Sequence, residues 1–241
     1  MCVGQAIRGR RLDWLVALAP AVLAGAVYWY SMPPSVTLYS GAYVAAGYGF
    51  GVPTTPGYPL WALSGYLWCH FIFPVGNPAW RLSMMSVVAG ASLVGVVARM
   101  MWQSLLWLLD ALPWGAAIEP RQRQWIAAPV AVGTALTFGF DRTIWQWACL
   151  PEPQALYTLI YFLAVFAFIP WLRDPSRRRR LYLTLFLLSC TVATADINAW
   201  PMTAIMTGPF FVGVFVIGFE KGIAVRRRGA TTAPLPGQET N

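Results

Sequence analysis

Three carboxylates, Asp141, Glu152 and Asp196, each stand at the end of a long apolar run, where they could take a proton from an attacking hydroxyl. Glu152 lies between Pro151 and Pro153, a rigid turn that would aim its side chain. Asp141 is followed by Arg142, so this pair could instead neutralise itself. Asp196 and Asn198 close an apolar run just before Pro201. A helix C-terminus disfavours an anion, so Asp196 is expected to face water, a partner or a cation. The stretch VTLYSGAYVAAGYGFGVPTTPGYPLWALSGYL, residues 36–67, is rich in turn residues and aromatics but has no Asp, Glu, Lys or Arg. A loop built for acid–base work normally keeps a carboxylate. This one keeps none.

The elements that must position these groups are membrane helices. Hydrophobic residues make up 58% of the 241-residue chain and charged residues 11%, against roughly 25% charged in an average soluble protein. The apolar runs approach the ~20 residues that cross a bilayer, and they do not alternate as β-barrel strands do. The expected fold is an all-α integral membrane protein with six spans, at 14–30, 80–102, 125–147, 155–172, 181–199 and 201–219. The first run reads as a span rather than a signal peptide, because it is long and ends in Tyr28-Trp29-Tyr30. Residues 1–228 form one helical domain, and 229–241 a disordered cytoplasmic tail.

The net charge of +8 comes from basic blocks between apolar runs, a pattern that orients helices rather than one that binds nucleic acid. If 59–73 does not cross, the blocks at Arg8–Arg11, Arg121/Arg123, Arg173–Arg180 and Lys221–Arg228 all fall on one side. Both termini are then cytoplasmic, and the outer loop 31–79 carries a short re-entrant or interface-lying helix at 59–73. The outer face holds Asp141, Glu152, Asp196, Arg81 and Arg142. The four cysteines are widely spaced, and the single His70 reads as a packed or interfacial residue, so no metal site is indicated. Gly47–Gly51 has the wrong spacing for a dinucleotide fingerprint. Ser86 and Gly90 are spaced for close helix contact inside one monomer.

Thr37–Ala91 resembles the first outer loop and second span of the domain of unknown function 2723 family, membrane proteins related to protein O-mannosyltransferases. The family pattern runs Asp-Ser-Gly-Glu-Phe, then Val-x-His-Pro-Pro-Gly-Tyr-Pro-Leu, then Gly-x-x-Ala-Trp-Arg-x-Asn. Here the matching residues are Pro56, Gly57, Tyr58, Pro59, Leu60, Trp80 and Arg81. The stretch IWQWACLPEPQAL is similar to the family's Trp…Glu-Val-Tyr-Ala-Leu, and DINAWPM to its Asn-His segment. The chain departs where the family has Asp and Glu, which fall on Tyr39 and Ala42. Its His-Pro falls on Thr54-Thr55 or Thr55-Pro56, and its Asn on Ser83.

The resemblance implies a GT-C type fold in a bacterial inner membrane, moving a sugar from a polyprenyl-phosphate carrier on the outer face. The base would then be Glu152, Asp196 or Asp141. Donor binding would fall to Arg81, Arg142, Trp80, Pro56, Gly57 and Tyr58, because the planar Arg fork suits phosphate. A snorkelling interfacial arginine is the alternative for Arg81. With the loop carboxylates replaced, the implied enzyme is weak or catalytically silent. The rival is a non-enzymatic membrane subunit that binds a partner membrane protein. A small transporter is a third reading, and the absence of charge at mid-span speaks against it. The implied ligands are the bilayer and a lipid-linked sugar, with no cofactor.

Overall fold

A computed structural model describes residues 3–35, 40–53, 58–173 and 178–194, which are helical with no strand among them. The helices in chain order are α1 (Val3–Ser31), α2 (Gly41–Gly49), α3 (Pro59–Leu67), α4 (Pro78–Ala111), α5 (Pro113–Ala116), α6 (Pro120–Gly139), α7 (Arg142–Cys149), α8 (Gln154–Arg173) and α9 (Arg178–Thr194). A π turn, Trp68–Ile72, extends α3. Prolines set four of the starts: Pro59, Pro78, Pro113 and Pro120 each occupy the first turn. Their φ is already helical, and the N–H they lack would have had no partner there.

Among the described residues, three helices are long and apolar enough to cross a membrane: Leu12–Ser31 within α1, α4, and Gln154–Leu172 within α8. The sequence predicts six. The run 125–147 is divided: α6 ends at Gly139, and Asp141 starts α7 by accepting the Thr143 N–H at 2.9 Å. An aspartate at that position satisfies a helix N–H that would otherwise lack a partner. Glycine followed by an N-capping acid therefore outweighs continuous apolarity. Of the remaining predicted spans, α9 is described over 17 residues, and 201–219 lies outside the described residues, as does the tail 229–241.

The helix α4 is the centre of the bundle and packs against α1, α6, α7 and α8. Small residues let the backbones close. A Cβ on Gly95 would stand 3.0 Å from the Ala17 carbonyl oxygen, and one on Gly25 3.1 Å from the Ala91 Cβ. On α6, Ala127, Ala131, Ala135 and Gly139 repeat every fourth residue and are all buried. Gly90 meets Ala148 of α7, so its small size is used inside the monomer.

The sequence predicts one short helix in the loop 31–79, and the structure has two. The helices α2 and α3 cross at Gly47 and Gly65 directly over Leu82: a Cβ on Gly65 would lie 3.2 Å from Gly47 Cα and 2.9 Å from the Leu82 Cδ2. The glycines that read as turn residues are crossing points. Around them Val44, Tyr58, Trp61, Cys69, Leu82 and Met85 form a separate buried cluster.

Candidate functional site

The loop and the ends of α1, α6 and α7 meet around the first turns of α4 and α8. Tyr28 donates to the Gly139 carbonyl at 2.5 Å, tying α1 to the last turn of α6. Trp145 Nε1 donates to the Ser31 hydroxyl at 2.9 Å, tying α7 to the end of α1. Asn77 Oδ1 accepts the Trp80 N–H at 2.8 Å and caps α4, while its Nδ2 donates to the Pro34 carbonyl at 3.1 Å. The chain entering α4 is thus pinned to the chain leaving α1.

The Gly-Asn-Pro-Ala-Trp-Arg segment gives each residue a structural task. Gly76 adopts φ +82°, which favours glycine, and the Trp80 ring lies 3.0 Å from where a Cβ would be. Trp80 also packs against Phe73, with ring centroids 5.3 Å apart. Arg81 Nε donates to the Gly76 carbonyl at 2.9 Å and Nη1 to the Cys69 carbonyl at 3.0 Å. Neither snorkelling nor ligand binding accounts for those two bonds: Arg81 braces the loop. Three of its five N–H groups have no acceptor among the described residues.

The carboxylates separate by environment. Asp141 is exposed and acts as the cap of α7, and it makes no ion pair with Arg142 among the described residues. The self-neutralised pair, one of the two readings open in the sequence, does not form, and the carboxylate serves as a cap. Glu152 is half-buried in the turn before α8, where its N–H donates to the Leu150 carbonyl at 2.8 Å. Burial pushes its carboxyl pKa above the ordinary value, because desolvation disfavours the charged form. Among the described residues Glu152 makes no ion pair. Asp196, Tyr39, Pro56 and Gly57 lie outside the described residues. Ala42 is exposed on α2, and Tyr58 is buried against Tyr43.

The first turn of α8 sits beside the loop cluster, since Leu156 packs against the group containing Trp61, Leu82 and Met85. Three buried polar atoms here have no hydrogen-bond partner among the described residues: Trp61 Nε1, Trp68 Nε1 and Gln154 Oε1. An unsatisfied buried group costs about 1–3 kcal/mol, so such atoms ask for a ligand or water. Sequence reasoning missed all three. Trp61 and Trp68 do carry a signal, because residues seven apart share one helix face. Gln154 carries none.

His70 is stacked between Tyr66 and Tyr48, at centroid distances of 4.3 and 4.7 Å. Its Nδ1 lies 2.9 Å from the Tyr66 carbonyl, which can only accept, so Nδ1 bears the proton. No group of three His, Cys, Asp or Glu residues able to hold a metal occurs among the described residues.

A family model described as "Protein O-mannosyl-transferase TMEM260 N-terminal domain" matches residues 40–220, well over half of the chain. The chain belongs to this family. The match begins at the loop, runs through α2 to α9 and takes in Arg81, Asp141 and Glu152. The protein is therefore a membrane protein with an O-mannosyltransferase-type domain, as the loop motif led us to expect. No curated protein and no solved structure matches it significantly.

Proposed function

We propose that the protein handles a sugar carried on a polyprenyl phosphate, at the end of the bundle where α1 leaves and α4 begins, with Glu152 as proton acceptor. The observation that carries this reading is the state of Glu152: half-buried, raised in pKa and, among the described residues, in no ion pair. A base works best when its pKa lies near the working pH, and burial moves Glu152 in that direction. Asp141 is already engaged as a cap. The unspent N–H groups of Arg81 suit the donor phosphate, and the indole N–H groups of Trp61 and Trp68 suit sugar oxygens. Turnover is slow, because Tyr39 and Ala42 stand where related sequences carry acids.

A second reading is favoured by that same loop. With no charged side chain in 36–67, the domain binds a donor or a partner membrane protein without transfer. The deciding experiment is transfer from polyprenyl-phosphate mannose to an acceptor by the purified protein, with donor binding measured in parallel. Slow turnover abolished by Glu152→Gln supports the first reading. Donor binding without turnover supports the second. Absence of both points to a partner-binding subunit and removes the sugar-handling proposal.

A further inference from the structure

Where α1 and α4 close on Gly25, Ala91 and Gly95, their longer side chains splay apart. They leave a groove of about 470 Å³ along the outside of the bundle, between Leu18 and Val22 on one side and Met84 and Val88 on the other. It runs from Trp14 to Trp29, fifteen residues of helix or ~22 Å. Its walls are apolar apart from Ser92 midway along, and Arg99 and Trp14 close one end.

Arg99 is only lightly engaged. Its guanidinium carbon lies 5.1 Å from the centroid of the Trp14 ring, and Nη1 donates to the Asp13 main-chain carbonyl at a long 3.4 Å. The Asp13 carboxylate accepts from Trp102 Nε1 at 2.8 Å and forms a loose ion pair with Arg99 Nη2 at 3.8 Å. Among the described residues, most of the five guanidinium N–H groups of Arg99 make no hydrogen bond and can meet another acceptor. The part of α1 before Asp13 also carries Arg8, Arg10 and Arg11 in its sequence.

A hydrocarbon groove with a cation at one end fits one kind of molecule. We propose that the α1–α4 groove binds an anionic glycerophospholipid, with its phosphate at Arg99 and one acyl chain lying along the seam towards Trp29. Basic residues at a membrane surface attract anionic lipid. A helix from a second copy is the poorer occupant, because it would cover the remaining N–H groups of Arg99 with apolar surface that offers them no acceptor.

The test uses the full chain purified in a neutral detergent, with phosphatidylglycerol and phosphatidylcholine as probes and bound lipid counted by native mass spectrometry. The expected result is one tightly held phosphatidylglycerol, preferred at least tenfold over phosphatidylcholine. Arg99→Gln abolishes the preference, Arg99→Lys keeps it, and Val88→Trp, which fills the groove from an exposed position, displaces the lipid. If Arg99→Gln does not fold, the Lys and Trp variants decide alone. Equal binding of the two lipids, or binding that Val88→Trp leaves intact, overturns the proposal. So does a dimer that Val88→Trp converts to monomer, which would make a second copy the occupant.

Discussion

Arg81 reaches back twelve residues to hold the Cys69 carbonyl at 3.0 Å, and the bond spans the whole π turn and the loop behind it. Hydrogen bonds from a charged donor contribute roughly 1.5–3 kcal/mol. Arg81→Ala should therefore lower stability by about 2 kcal/mol, with faster amide exchange confined to residues 68–77. Arg81→Lys, which lacks the planar fork, should recover only part of the loss. Unchanged exchange in that segment would mean that the brace is idle and that the guanidinium serves a ligand alone.

The crossing of α2 and α3 gives a second test. A methyl on Gly65 meets the flexible end of Leu82, which can move, and the backbone of Gly47, which cannot. Gly65→Ala should destabilise the protein by about 1–3 kcal/mol, the usual cost of overpacking. Adding Leu82→Ala should not restore it, because the backbone clash persists and a cavity is added. Full recovery in the double variant, read from thermal melts, would place the crossing elsewhere.

Glu152 makes stability and rate depend on pH in opposite senses. Its folded pKa is raised, so folding favours the protonated form. The charged carboxylate therefore costs stability at neutral pH, and this cost disappears as pH falls below the unfolded value of ~4.3. Glu152→Gln should melt higher than the native protein at pH 7 and match it near pH 4. Any transfer should instead rise with pH through the raised pKa, as the base loses its proton. A Gln variant that melts lower at pH 7 would contradict the environment described for this side chain.

The bond from Asn77 to the Pro34 carbonyl places the exit of α1 and the entry of α4 at one end of the bundle. Single cysteines at Ser35 and at exposed Val75, in a background without the native cysteines, should therefore label from the same side. On the orientation expected from the basic blocks, that side should be the outer one. Labelling from opposite sides would require an odd number of crossings between these positions.

The membrane class and the helices α1, α4 and α8 are legible in the sequence, because run length and apolarity fix them without reference to neighbours. The division of α6 from α7 is not, since Phe140 continues the apolar run and only Asp141, acting as a cap, reveals the break. The helix α2 is hidden for a different reason. Its glycines resemble turn residues, and what requires Gly47 is Leu82, thirty-five residues further on. Trp80 and Arg81 could be placed by motif, yet their work on Gly76 and Cys69 depends on a fold that spacing alone does not convey. Glu152 was visible as a candidate, but its advantage over Asp141 lies in burial, which the sequence does not print.

The two arginines of α4 also act as a gauge. Arg81 and Arg99 are eighteen residues apart, ~27 Å along the helix; two main-chain carbonyls hold Arg81, and one holds Arg99 more loosely. Nothing charged lies between them, so this length is the thickness of hydrocarbon that the protein accepts without strain. In a thicker bilayer both cations would be drawn inward, or the membrane would have to pinch around the bundle, at a fraction of a kcal/mol for each ångström of mismatch. A thin bilayer is therefore expected to suit this protein better than a thick one.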